Sequence, residues 1–181
     1  MSNPYPTKGE YKMSVTLYAQ PYNLDAHGFY FESYKNFRDS ASKVKNTFGQ
    51  PVEEFEIQFI DGSDLYCDFA RAYGVNQANI KQFFEAVEDW DDGQKLAFII
   101  AVGECGYSFD PDDVDPYGFD IDLYHVESLK ELAEQFVDEG LFGDIPERLQ
   151  YYLDYEAIAR DLACDYSETT IAGQTFVYRC G

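Results

Sequence analysis

The chain has 181 residues, 45% hydrophobic and 18% aromatic, and its 34 Asp and Glu against 13 Lys and Arg give a formal net charge of -21. Such apolar content excludes an acidic disordered tail and suffices for one ordinary domain or for two or three very small ones. A charge of this sign excludes ready attraction to nucleic acid or anionic membranes and favours basic partner surfaces.

Residues 1–13 read as a loose leader. MSNPYPTKGEYK has no apolar core and is no signal peptide, and Met13 is an alternative start. Residues 14–62 read as a small α+β unit. Val15, Leu17 and Ala19 alternate with Thr16 and Tyr18 as a strand, and Gly28 to Glu32 is its hairpin partner. Tyr34 to Phe48 is expected to be a helix closed by Gly49. Phe55, Ile57 and Phe59 alternate in a third strand that ends at Asp61-Gly62.

Residues 63–106 read as helical. Ile80, Phe83, Phe84 and Val87 share one face, while Glu85, Glu88, Asp89 and Asp92 follow the same spacing on another. Asp91 or Asp92 can cap a central apolar helix from Gln94 to Val102.

Residues 107–181 return to α+β. An acidic loop from Tyr107 leads into an alternating strand, Phe119 to Tyr124. Ser128-x-x-Glu131 is a capping box that opens a helix closed by Gly140. A short helix starts near Asp144-Ile-Pro146-Glu147, with Pro146 near its first position, and Asp154 caps another. Thr175 to Arg179 is a closing strand.

The charge is uneven: residues 1–60 carry a net of -1 and residues 61–181 a net of -20. Adaptation to high salt would acidify the whole surface, so this asymmetry counts against it. Glu127, Glu131, Glu134 and Asp138 run along one helix face over roughly 16 Å, about one charge per 5 Å at 1.5 Å per residue. B-DNA carries one charge per ~1.7 Å of axis. A duplex imitation therefore needs several stripes side by side. The chain supplies them in Glu85, Glu88, Asp89 and Asp92, and in eight acids between Lys95 and Lys130 with no Lys or Arg among them: Glu104, Asp110, Asp112, Asp113, Asp115, Asp120, Asp122 and Glu127.

Other chemistries fit poorly. Asp113-x-Asp115-x-Tyr117-Gly118 imitates the start of a calcium loop, but its twelfth position is Tyr124 where a bidentate Glu is needed. The two histidines, His27 and His125, adjoin no nucleophile motif, and no phosphate-binding glycine loop occurs. Cys67, Cys105, Cys164 and Cys180 have neither zinc nor C-x-x-C spacing, so a reduced chain is expected rather than a disulfide framework. Arg38, Lys43 and Lys45 make the first helix locally basic, against the field of the whole molecule. The longest apolar run, Leu96 to Val102, has seven residues, far short of the roughly 20 that span a bilayer.

The run from Gly140 to Leu162, GLFGDIPERLQYYLDYEAIARDL, resembles the ArdA antirestriction family at Gly140, Pro146, Leu149, Tyr152, Asp154-Tyr155, Ala157 and Arg160-Asp161-Leu162. Weaker echoes are the opening strand with Asn23 and Gly28, and Glu53 to Ile57; together the likeness covers residues 14 to about 180. The resemblance implies an α+β fold drawn out as an elongated chain of three small domains, here residues 14–62, 63–106 and 107–181. It implies a homodimer that mimics bent B-DNA and blocks the methyltransferase–specificity core of type I restriction–modification enzymes. Such a protein is no enzyme, needs no cofactor or metal, binds neither nucleic acid nor membrane, and serves mobile genetic elements in the cytoplasm.

On this reading the mimicking surface comprises Glu85, Glu88, Asp89, Asp92, Asp110, Asp112, Asp113, Asp115, Asp120, Asp122, Glu127, Glu131, Glu134 and Asp138. The near-neutral first unit would carry little of it. The stretch near Glu134 to Glu147 resembles the family's antirestriction motif, and Glu139, Leu141, Phe142, Asp144 and Glu147 are its expected contacts. Leu141 and Phe142, in a short interhelical loop, are expected at the dimer interface. The alternative from composition alone is an acidic module for another basic DNA-binding protein.

Overall fold

A computed structural model describes residues 14–181. The expectations for residues 1–13 fall outside the described residues. The fold is α+β, with two three-stranded antiparallel sheets and helices packed on them. Sheet one has the order β2-β1-β3, with β1 Thr16–Pro21, β2 Phe29–Phe31 and β3 Phe55–Asp61. Leu17 pairs with Phe31 and Ala19 with Phe29, so Leu17, Ala19 and Phe31 point into the core together. Gly28 precedes β2, where any Cβ would collide with the Ala19 carbonyl and the Tyr18 ring. Only glycine allows this hairpin to close.

Helix α1 covers Tyr34–Ala41, shorter than the expected Tyr34 to Phe48. The reason is local. The Asn46 side-chain oxygen accepts from the Phe48 and Gln50 amides, and Lys45 bridges Pro51, so these backbone groups are satisfied by a turn rather than another helical turn.

The helical middle contains α2 (Asp64–Tyr73), α3 (Ile80–Asp89) and α4 (Asp92–Phe98). Asp91 and Gln94 form a reciprocal capping box on α4. The chain then continues as a π-helical turn, Ile99–Glu104, which hydrophobic periodicity does not announce. Phe69 and Tyr73 each lie 5.5–5.6 Å, ring centre to ring centre, from one another and from Phe83 and Phe98, stacked only between Phe69 and Phe83 and edge-on or tilted elsewhere. This aromatic cluster joins the apolar face of sheet one to β5 and β6 in one continuous core. Gln77 adds a polar tie, donating to the Glu53 carbonyl and accepting from the Phe55 amide.

Sheet two has the order β4-β6-β5, with β4 Ile121–Tyr124, β5 Ser167–Ile171 and β6 Gln174–Cys180. Strand β5 is absent from the sequence expectation. Its segment, SETTI, carries only Ile171 to the core, too little apolar alternation to read. Strand β6 buries both faces: Phe176 and Tyr178 join the main core, while Val177 joins a second cluster with Val126, Leu132 and Phe136.

That second cluster lies beneath α5 (Leu129–Asp138) and is flanked by Leu162 of α7 (Tyr155–Leu162). Ser128 accepts from the Glu131 amide at the α5 start, and Glu168 accepts from Leu129. Glu131 reaches back to the Glu127 amide, one residue before the cap itself, which modifies the expected capping box. Gly140, at φ 77, closes α5, and Leu141 donates to the Phe136 carbonyl. The short α6 covers Glu147–Gln150, and Pro146 is its cap rather than its first helical residue.

Cys105 and Cys180 are joined by a disulfide, against the expectation of four free thiols. Topology is the cause. Strand β6 returns the chain to the end of the π-helical turn after 75 residues, a proximity that sequence spacing hides. Cys67 and Cys164 are free.

Candidate functional site

The acids singled out from the sequence point outward. Glu85, Glu88, Asp89, Asp92, Asp110, Asp112, Asp113, Asp115, Asp120, Glu127, Glu131, Glu134 and Asp138 are exposed. Asp122 is half-buried and pairs with Arg179, whose Nε lies 2.9 Å from its carboxylate, so its charge is locally cancelled. Glu85 pairs with Lys81 at 3.6 Å on the α3 surface, a screened contact of little energetic weight.

The α3 stripe expected as one face is divided between two clefts. Glu85 and Asp89 line a cleft of about 310 Å³ with Asp112, Asp113 and Asp115 of the acidic loop. The loop is tethered to α3 there, because the Gln82 amide donates to the Asp112 carboxylate at 2.6 Å. Glu88 and Asp92 line a larger cleft of about 780 Å³ with Asp64, His125, Leu96 and Phe176. Its wall is built from α2, α4 and the β5–β6 hairpin, and Asp68 holds that hairpin by accepting from the Ala172 amide.

The α5 acids form another group. Glu131, Glu134 and Asp138, with Glu127, belong to the layer over the second core cluster, where Lys130 pairs with Glu156 of α7 at 3.0 Å. Val177 and its neighbours Phe176 and Tyr178 point to opposite faces of β6. The α3 and α5 acids therefore decorate opposite sides of sheet two.

In the calcium-like loop, Asp110 accepts from the Asp112 amide and Asp115 from the Tyr117 amide, so these carboxylates close turns. Among the described residues no group of three or more His, Cys, Asp or Glu side chains is placed to hold a metal ion. No helix of the described chain is long and apolar enough to cross a membrane.

Lys95 is 2% exposed, an inward cation beneath the acidic surface. Its ammonium donates to the Trp90 carbonyl and stands 5.4 Å from the centre of the Tyr66 ring. Burial pushes its pKa down, while Asp92 and Asp91 push the other way. Tyr73 is 3% exposed, and its hydroxyl has no partner. Burial chiefly, then the charges of Asp112 and Glu85, raises its pKa to about 12. Neither residue was legible as functional: Tyr73 falls four after Phe69 and reads only as core.

Between α5 and α7 the apolar side chains face outward. Leu141, Phe142, Leu149, Tyr151 and Tyr152 are all exposed, Phe142 to 52% and Tyr151 to 87%. Glu139, Asp144 and Glu147 are exposed beside them. No curated protein matches the chain. The family model of the antirestriction protein (ArdA) matches residues 10–176, beginning inside the segment expected to be a leader, and the chain belongs to that family.

Proposed function

We propose that this antirestriction protein acts by occupying the DNA-binding groove of a type I restriction–modification enzyme as a B-DNA mimic. The observation that carries the reading is the outward display of acids on residues 61–181, which hold a net charge of -20. Concentrating like charge on a folded surface costs stability, and a basic groove is the surface that would offset it. Acids on both sides of sheet two suit a groove that encloses its ligand. The chain is then a binding protein and no enzyme. Its division into three units, its elongation and its place in the cytoplasm belong to the same reading.

A homodimer through residues 139–147 completes it. Exposed Leu141 and Phe142 have apolar surface left to bury, and a two-fold pair would roughly double the acidic surface. The test is displacement of a bound duplex from a type I methyltransferase–specificity complex, followed across salt concentrations. Competitive displacement that weakens steeply with salt is the expected result. Salt-insensitive binding that leaves the duplex in place would overturn the mechanism.

A further inference from the structure

The larger cleft, bounded by α2, α3, α4 and the β5–β6 hairpin, combines an apolar floor with a rim of one charge sign. Leu96, Ile171 and Phe176 are buried at its floor, and the partly buried Leu65 and Val87 line its sides. The rim carries Asp64, Glu88 and Asp92, all exposed, and the lining includes no Lys or Arg. Lys95, beside Leu96 in sequence, is buried against the Trp90 carbonyl instead. Asp64 and Asp92 have no ion pair among the described residues. The hairpin wall is fixed by Ala172, whose backbone takes a left-handed φ of 50 and whose amide donates to Asp68.

Floor and rim together specify an occupant. Imitating phosphates requires outward carboxylates, but it does not require an apolar recess between them. Acids around the mouth repel anionic and acidic segments and attract Lys and Arg. The floor accepts an aliphatic or aromatic side chain, and a volume of about 780 Å³ lies in the range of roughly 300–1,000 Å³ that admits a compact ligand. A Lys or Arg next to that side chain keeps its charge at the rim while its methylene stem covers the walls. We propose that this cleft docks a segment of the basic partner protein in which an aliphatic or aromatic residue is flanked by Lys or Arg. The contact then includes an apolar anchor that duplex DNA lacks, a source of affinity that salt does not screen. This inference rests on the reading of the acidic surface as the ligand of a basic groove.

The full chain is titrated with the peptide acetyl-Lys-Leu-Ala-Phe-Lys-amide and followed by the methyl resonances of Leu96 and Ile171. Saturable shifts are expected at both. The peptide with Ser at its two apolar positions, and the one with Glu in place of Lys, should each bind at least about ten-fold more weakly. Leu65→Ser, which changes no charge, should weaken the parent peptide about ten-fold. Asp64→Asn with Asp92→Asn alters exposed groups only and tests the site even if Leu65→Ser does not fold; it should weaken binding about five-fold at low salt and little at high salt. Glu131→Gln with Glu134→Gln removes the same charge on the far side of sheet two and should leave binding unchanged.

Against a type I methyltransferase–specificity complex, Leu65→Ser should weaken binding by the same factor at every salt concentration. The Asp64 and Asp92 variant should instead flatten the salt dependence. Peptide binding in the cleft by a protein that displaces no duplex would support the docking site and remove the restriction-enzyme reading. Duplex displacement without shifts at Leu96 and Ile171 would overturn the docking site and leave that reading intact. Equal affinity for the Ser-substituted peptide, or a loss as large in the α5 variant as at Asp64 and Asp92, would also overturn it.

Discussion

Replacing Tyr73 by Phe should make the protein more stable. The ring is held on several sides, with centres 5.5 Å from those of Phe69, Phe83 and Phe98 and 5.0 Å from that of Phe109. The substitution keeps those contacts and removes one buried oxygen that has no partner. An unsatisfied buried polar group costs about 1–3 kcal/mol, so the expected gain is at least about 1 kcal/mol. For a chain of this length that corresponds to a rise of roughly 2–4 °C in melting temperature. Urea denaturation at neutral pH should show a higher midpoint at unchanged slope.

The alkaline limb offers a second reading of the same residue. The ordinary tyrosine pKa is 10.0 and the folded value is about 12, so the folded state holds the proton more tightly. Stability from this difference is complete below pH 10 and lost as pH climbs toward 12, and the Phe variant lacks that loss. A variant destabilised by about 1 kcal/mol or more would refute the reasoning, because it would mean that the hydroxyl is hydrogen-bonded in the native protein.

Four further outcomes are expected. Ser128→Ala removes the oxygen that accepts from Glu131 at 3.2 Å and should cost about 1 kcal/mol, measured by thermal melting. Cys180→Ser, or a reducing agent, opens a covalent loop of 75 residues and should lower stability by up to about 4.5 kcal/mol on the chain-entropy estimate, with parent and variant melting alike once reduced. Glu134→Gln alone should leave inhibition of a type I enzyme nearly intact, whereas neutralising Glu85, Glu88, Asp89 and Asp92 together should weaken it measurably; loss from the single change would point to a discrete contact. Phe142→Asp should sediment as a folded monomer beside a dimeric parent, and a parent that stays monomeric at high micromolar concentration would remove the dimer.

Much of the fold follows from local pattern. Alternation at Val15, Leu17 and Ala19, the α3 stripe of Ile80, Phe83 and Phe84, and the caps at Asp91, Ser128 and Asp154 all appear where residue chemistry places them. The departures share a cause, namely interactions between distant residues or side chains that outcompete a period. Asn46 ends a helix by offering its oxygen to two amides; Ser167–Ile171 becomes a strand because β6 is there to pair with it; Cys105 meets Cys180 through the sheet. The same holds for the candidate site. The exposure of the acids was legible from charge and period. Their sorting into a loop–α3 cleft, a larger cleft against the β5–β6 hairpin, and the α5 layer required tertiary structure, as did the orphaned oxygens of Tyr73 and Gln82.

The position of the central strand in each sheet bears on the order in which a nascent chain becomes protected. In sheet one the centre is β1, the earliest strand, so β2 and β3 can add to it as they emerge. In sheet two the centre is β6, the latest, and β4 and β5 have no edge to pair with until residues 174–180 exist. About 50 residues separate the end of β4 from the start of β6, which at about 5–20 residues per second is roughly 2.5–10 s of synthesis. Through that interval β4 waits with unpaired backbone, and Leu132 and Phe136 wait for Val177. The dense acidity of this half keeps waiting chains apart by mutual repulsion, so the charge that serves the folded surface also protects the unfinished one from aggregation during synthesis.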